Sequence, residues 1–125
     1  MTKILLVEDH EELWDSLSRR LRRRNFDVAL AHDGQQALDQ VDAETPDIVL
    51  LDMNIPVMDG WTVAQTLRTQ SNRVPIIALT AHAMAADRQR ALDAGCDEFH
   101  AKPVVFDELL RQIDELLLRA EEADE

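Results

Sequence analysis

The chain has 125 residues, 46% of them hydrophobic and 30% charged, which is the balance of one folded domain with a real core and not of a disordered chain. A formal net charge of −12 sets it against nucleic-acid phosphates and anionic membrane surfaces, so direct DNA binding is disfavoured. Cys96 is the single cysteine, which excludes an intrachain disulfide and a cysteine-based zinc site, and no apolar run reaches the roughly 18 residues of a membrane span.

Met1-Thr2-Lys3 leads into four apolar residues before Glu8-Asp9, too few for a secretion signal, and a cytoplasmic location is expected. Lys3–Glu8 reads as a strand buried on both faces, because its apolar run is continuous. From His10 to Arg24, Leu13, Leu17 and Leu21 recur four apart and predict an amphipathic helix. Its end carries Arg19-Arg20-Leu21-Arg22-Arg23-Arg24, which reads either as cations complementing the helix dipole or as a docking patch for an acidic partner. Asp27–Ala31 is a second strand. Asp33-Gly34 opens a helix with Ala37, Leu38 and Val41 inward, stopped by Pro46.

Asp47–Asp52 is the most apolar strand, followed by a loop with the turn signals Pro56 and Asp59-Gly60. A helix then runs over about Trp61–Gln70, a fourth strand over Pro75–Thr80, and a helix over about Met84–Ala94 that stops at Gly95. Asp97–Ala101 is assigned as a fifth strand from its position. The last helix carries Leu109, Leu110, Ile113, Leu116 and Leu117, and is expected to fray into an acidic tail over 121–125, leaving 1–120 as one domain. Five strand–helix pairs with short connections predict an α/β fold, a (βα)5 doubly wound parallel sheet. No linker or second domain is read from the sequence, and no effector domain is expected.

In such sheets ligands bind at the carboxyl ends of the strands. Glu8-Asp9 follows strand one, Asp52 ends strand three, Thr80 ends strand four and Lys102-Pro103 follows strand five. Each has an ordinary reading alone, as a helix cap, a strand end or a solvated lysine; at equivalent strand ends they form a constellation. Three close carboxylates repel and raise one another's pKa unless a cation sits among them, and oxygen ligands suit Mg²⁺. With the Lys102 ammonium, such an ion would neutralise an incoming phosphoryl group, and Asp52, on the most central strand, is the candidate nucleophile.

Val7-Glu8-Asp9, Leu51-Asp52-Met53-Asn54-Ile55-Pro56-Val57-Met58-Asp59-Gly60, Leu79-Thr80-Ala81 and Lys102-Pro103 together resemble the receiver domain of bacterial two-component response regulators, along essentially the whole chain. The Thr80–Met84 stretch resembles stand-alone members and hybrid-kinase receivers. The resemblance implies the flavodoxin-like strand order 2-1-3-4-5 and a phosphoryl group accepted on Asp52 from a histidine kinase or phosphotransfer protein. It implies Mg²⁺ held by Asp9, Asp52 and the Asn54 main-chain carbonyl, with Glu8 acting largely through water. Lys102 would contact the phosphoryl oxygens, Thr80 and the aromatic Phe99 would form the switch, and Lys102–Pro103 would be a cis bond. Asn54, His82 and Pro103 would tune the site from beside it. Output would be a protein contact on the face of helix four, strand five and helix five, by a monomer or weak homodimer that binds neither DNA nor membrane.

His82 also reads as a plain helix-start residue, and His10 is ambiguous in the same way. Trp14 and Trp61 are expected to pack against the fold. Two other functions fit the sequence less well. A phosphatase forming an aspartyl-phosphate, as haloacid-dehalogenase-like enzymes do, would need a general acid two residues after the nucleophile, where Asn54 stands. A flavodoxin-like cofactor binder would need a phosphate loop after strand one, where Glu8-Asp9-His10-Glu11-Glu12 would repel a phosphate. A phosphoacceptor signalling domain that assists its own phosphorylation and dephosphorylation, not a turnover enzyme, is the expectation.

Overall fold

A computed structural model describes residues 1–81 and 84–124. In chain order these form β1 (Lys3–Val7), α1 (Glu11–Arg23), β2 (Asp27–Ala31), α2 (Gly34–Glu44), β3 (Ile48–Asp52) and α3 (Gly60–Thr69). There follow β4 (Ile76–Thr80), α4 (Ala85–Asp93), β5 (Glu98–Ala101) and α5 (Phe106–Asp124). The five strands make one parallel sheet in the order β2-β1-β3-β4-β5, as expected.

Side chains alternate along each strand, and this divides the core in two. Leu5, Val7, Val49, Leu51, Ile76 and Ala78 point to one face, where Ala37 and Val41 of α2, Val63 and Leu67 of α3 and Ala91 of α4 cover them. Ile4, Leu6, Ile48, Leu50, Ile77 and Leu79 point to the other, under Leu17 and Leu21 of α1 and Leu109, Ile113 and Leu116 of α5. All five residues of β3 and of β4 are buried, which is why these strands read as unbroken apolar runs. Trp14 packs against the second cluster and Trp61 against the first, where the Arg90 guanidinium lies 4.2 Å from its ring centroid.

Helix ends follow local chemistry. Asp33 and Asp59 cap α2 and α3 by accepting from the Gln36 and Thr62 N–H groups. Thr45 takes the left-handed conformation after α2, and Pro46 follows it. Gly60 lets α3 start against the sheet, since a Cβ there would meet the Met53 Cα at 2.6 Å. One expectation is corrected at the C-terminus. Residues 121–124 continue α5 and do not leave it at 120, because Ala and Glu are strong helix formers.

Candidate functional site

At the carboxyl ends of β1, β3 and β4 the chain places Glu8, Asp52 and Thr80 side by side, each at most 2% exposed. A hydrogen bond from the Lys102 N–H to the Thr80 carbonyl, at 2.7 Å, brings the end of β5 to the same rim. The Lys102–Pro103 bond is cis. Lys102 Nζ reaches inward to Glu8 Oε1 at 2.6 Å and to Asp52 Oδ2 at 3.5 Å.

Each carboxylate is held by backbone. Asp52 Oδ1 accepts from the Asn54 N–H at 3.0 Å, fixing the plane of the group. Glu8 Oε2 accepts from the N–H groups of Asp9 and His10 at 3.1 and 3.2 Å, and His10 Nδ1 donates to the same oxygen at 3.1 Å. The Glu8 carbonyl accepts from His32 Nδ1 at 3.0 Å, and the His32 ring lies against Trp14. Asp9 is exposed, with His10 Nδ1 3.5 Å from its Oδ1.

These environments pull the two buried acids apart. Burial pushes Asp52 up; the Asn54 N–H opposes it, and the facing Glu8 carboxylate adds to it. Burial also acts upward on Glu8, but the hydrogen bonds it accepts from Lys102 and from Asp52 outweigh it and hold Glu8 below the usual carboxylate range. The Glu8 hydrogen bond and the nearby Asp9 charge hold His10 above its ordinary value.

Glu8, Asp9, His10 and Asp52 each offer one donor atom, all within 4.8 Å of one another. Three carboxylates with a common focus are the donor set of a hard divalent ion, so the residues present fit Mg²⁺. Glu8, Asp9, Asp52, Thr80 and Lys102 are thus brought together as the sequence predicts. Phe99, on β5 beside Ala78 of β4, is half-buried against the first core cluster. His82 lies outside the described residues. The basic run serves partly within the fold: Arg19 pairs with Asp15, Arg20 lies over the Phe106 ring and Arg22 donates to the Val28 carbonyl. Sequence reading missed His32, whose only signal was its position just after β2.

Comparison with known proteins agrees with this geometry. The family model for the response regulator receiver domain matches residues 4–114. Response regulator MprA of Mycobacterium avium (strain 104) is 38% identical over 98% of this chain and 54% of its own length. Transcriptional regulatory protein PrrA of Mycobacterium tuberculosis (strain ATCC 25618 / H37Rv) is 40% identical over 94% of this chain and 50% of its own. The chain therefore spans about half the length of these curated relatives. Among solved structures, the Francisella response regulator 1452 receiver domain superposes with TM-score 0.92 at 26% identity, covering 96% of this chain and 99% of that one. The receiver domain of sensor histidine kinase PA1611 from Pseudomonas aeruginosa PAO1, with a magnesium ion coordinated in its active-site cleft, gives 0.85 at 38% identity, covering 93% and 97%. The chain belongs to the response-regulator receiver domains of two-component systems.

Proposed function

We propose that this chain is a phosphoacceptor switch in which Asp52 takes a phosphoryl group from the phosphohistidine of a kinase or phosphotransfer protein. The observation that carries this reading is the setting of Asp52: a carboxylate 2% exposed, closing a central strand, faced by Glu8 and Lys102. The Asn54 N–H fixes the group, so that one oxygen attacks the phosphorus as the bond to the donor imidazole breaks. Lys102 moves its ammonium from Glu8 toward the phosphoryl oxygens and neutralises them. Asp9, Asp52 and the Asn54 main-chain carbonyl would hold Mg²⁺, with Glu8 acting through water. When bound, the ion supplies charge neutralisation for the clustered carboxylates and the phosphoryl group.

Thr80, at the end of β4, gives its hydroxyl to a phosphoryl oxygen, and Phe99 follows it inward, which changes the α4–β5–α5 face. Exposed Met84, Leu92 and Val105 supply apolar contact area there for a protein partner. Asn54 and Pro103 tune the site from beside it, and autodephosphorylation resets it. The reading places the chain in the cytoplasm, as a monomer or weak homodimer without a nucleic-acid or membrane contact of its own.

Intact-mass measurement after incubation with acetyl phosphate and Mg²⁺ tests this. The wild type should gain one phosphoryl mass and Asp52→Asn none; an unmodified wild type, or an equally modified variant, overturns the reading.

A further inference from the structure

We propose that His10 adds a nitrogen donor to the acidic site, so that the site favours a first-row transition-metal dication over Mg²⁺ more than carboxylates alone would. This rests on the reading of Glu8, Asp9 and Asp52 as metal-holding residues. His10 Nδ1 lies 3.1 Å from Glu8 Oε2 and 3.5 Å from Asp9 Oδ1, and its donor atom falls within the same 4.8 Å group as theirs. Donors bound to one ion at about 2.1 Å stand at most about 4.2 Å apart, so the widest pair of a group spanning up to 4.8 Å has to close by about 0.6 Å.

Among the described residues no group outside this cluster claims the ring, and a bound dication would replace the proton that Nδ1 gives to Glu8 Oε2. His10 stands at the N-cap of α1 with extended backbone, yet its side chain makes no capping bond, and that side chain is 73% exposed. The neighbouring imidazole is already committed, because His32 donates to the Glu8 carbonyl and packs on Trp14. The basic character of the rim comes from Lys102, which approaches Glu8 through its other oxygen, Oε1. His10 therefore shares Glu8 Oε2 with two backbone N–H groups on the Asp9 side of the cluster. Oxygen ligands suit Mg²⁺, and imidazole suits cobalt, nickel and zinc.

Every site of this kind gains affinity from manganese toward copper, so the informative quantity is the change on removing the ring. Calorimetric titration of the full chain at pH 8 with Co²⁺ and, separately, Mg²⁺ compares wild type with His10→Ala and His10→Asn. Asn is a good helix N-cap and guards against a loss caused by α1 itself. Co²⁺ affinity should fall at least about tenfold in both variants, the loss that even an outer partner of a metal site costs, while Mg²⁺ affinity stays unchanged. The visible bands of bound Co²⁺ should lie at shorter wavelength in the wild type, since nitrogen exerts the stronger ligand field. Equal Co²⁺ affinity and spectra in all three proteins would overturn the role of His10 while leaving the Mg²⁺ site standing. A parallel loss of both metals would overturn the selectivity. No binding of either metal by the wild type would overturn the metal reading of Glu8, Asp9 and Asp52 and this inference with it.

Discussion

Lys102 Nζ stands 2.6 Å from Glu8 Oε1, joining the end of β5 to the end of β1 across 94 residues of sequence. Glu8 has a fully buried side chain, and the Lys102 side chain is 18% exposed. Removing one partner of a buried ion pair costs more than the pair itself contributes, because a charge is left uncompensated. Lys102→Met keeps most of the stem and removes the charge. It should cost about 2 kcal/mol at neutral pH in metal-free buffer, discounted from the fully buried case for the exposure of the lysine. Glu8 is held below its ordinary value, so its contribution is present above the usual carboxylate range and is lost as pH falls through the lowered value. Urea unfolding of both proteins should therefore show the gap at pH 7 and its narrowing in acid. A gap that does not depend on pH would mean the loss is one of packing.

Asp52 carries the opposite sign. Burial and the facing Glu8 raise its value in the folded protein, so its ionisation costs stability once pH rises past the ordinary carboxylate value. That cost grows as pH rises toward and through the raised value. Asp52→Asn keeps an oxygen acceptor for the Asn54 N–H and removes the charge, and should melt a few degrees higher than wild type in EDTA, about 4 °C per kcal/mol for a domain of this size. Mg²⁺ should reverse the order, since a ligand at a hundred times its Kd adds about 2.7 kcal/mol to the protein that binds it. Thermal melts with and without Mg²⁺ check both halves, and an Asn variant that melts lower in EDTA refutes the first.

Val57 has φ of 70° and is 80% exposed, with the Met58 N–H donating to the Pro56 carbonyl at 2.8 Å. That is a γ-turn of the strained hand, built on a β-branched residue. Relief of such strain is worth about 1–3 kcal/mol, against about 0.5–1 kcal/mol of added chain entropy for glycine. Val57→Gly should stabilise the protein by about 1 kcal/mol in urea unfolding, with the same m-value. No gain would mean that the loop relaxes around Val57 at no cost.

The sheet and its active rim were legible because both rest on patterns along the chain. Strands buried on both faces read as continuous apolar runs, and topology alone then sends Glu8, Asp52, Thr80 and Lys102 to one edge. β5 was legible only by position, since an edge strand of four residues with one buried position has little pattern to show. The contacts of His32 and Arg68 have no such pattern. They are pairings between side chains and distant carbonyls or carboxylates, which sequence spacing does not encode. The arginine run shows the same limit: its charge is visible in sequence, but not that Arg20 lies over Phe106.

Arg68 provides the test of how separate the scaffold is from the site. From the last turn of α3 its Nε donates to the Gly95 carbonyl at 2.9 Å, and its Nη1 to the carbonyls of Asn72 and Val74 at 2.9 and 2.8 Å. Nη2 pairs with Asp97 Oδ2 at 2.9 Å, and the same oxygen accepts from the Ile76 N–H at 2.8 Å. One guanidinium thus ties the end of α3, the entry to β4, the turn after α4 and the residue before β5. Arg68→Met leaves three carbonyls without this donor and frees Asp97 from its cation. At about 1 kcal/mol for each of the three carbonyls, with little added by the half-exposed ion pair, the variant should be about 3 kcal/mol less stable. Lysine cannot reproduce the fork of donors, so Arg68→Lys should recover less than half of the loss. All of these groups sit at the amino ends of β4 and β5, whereas Asp52 and Thr80 stand at carboxyl ends. Below the melting transition, the extent of modification by acetyl phosphate should therefore match wild type in both variants. Urea unfolding and intact mass measure the two quantities independently, and a fall in phosphorylation at a temperature where the variant is folded would show that the clamp reaches the site.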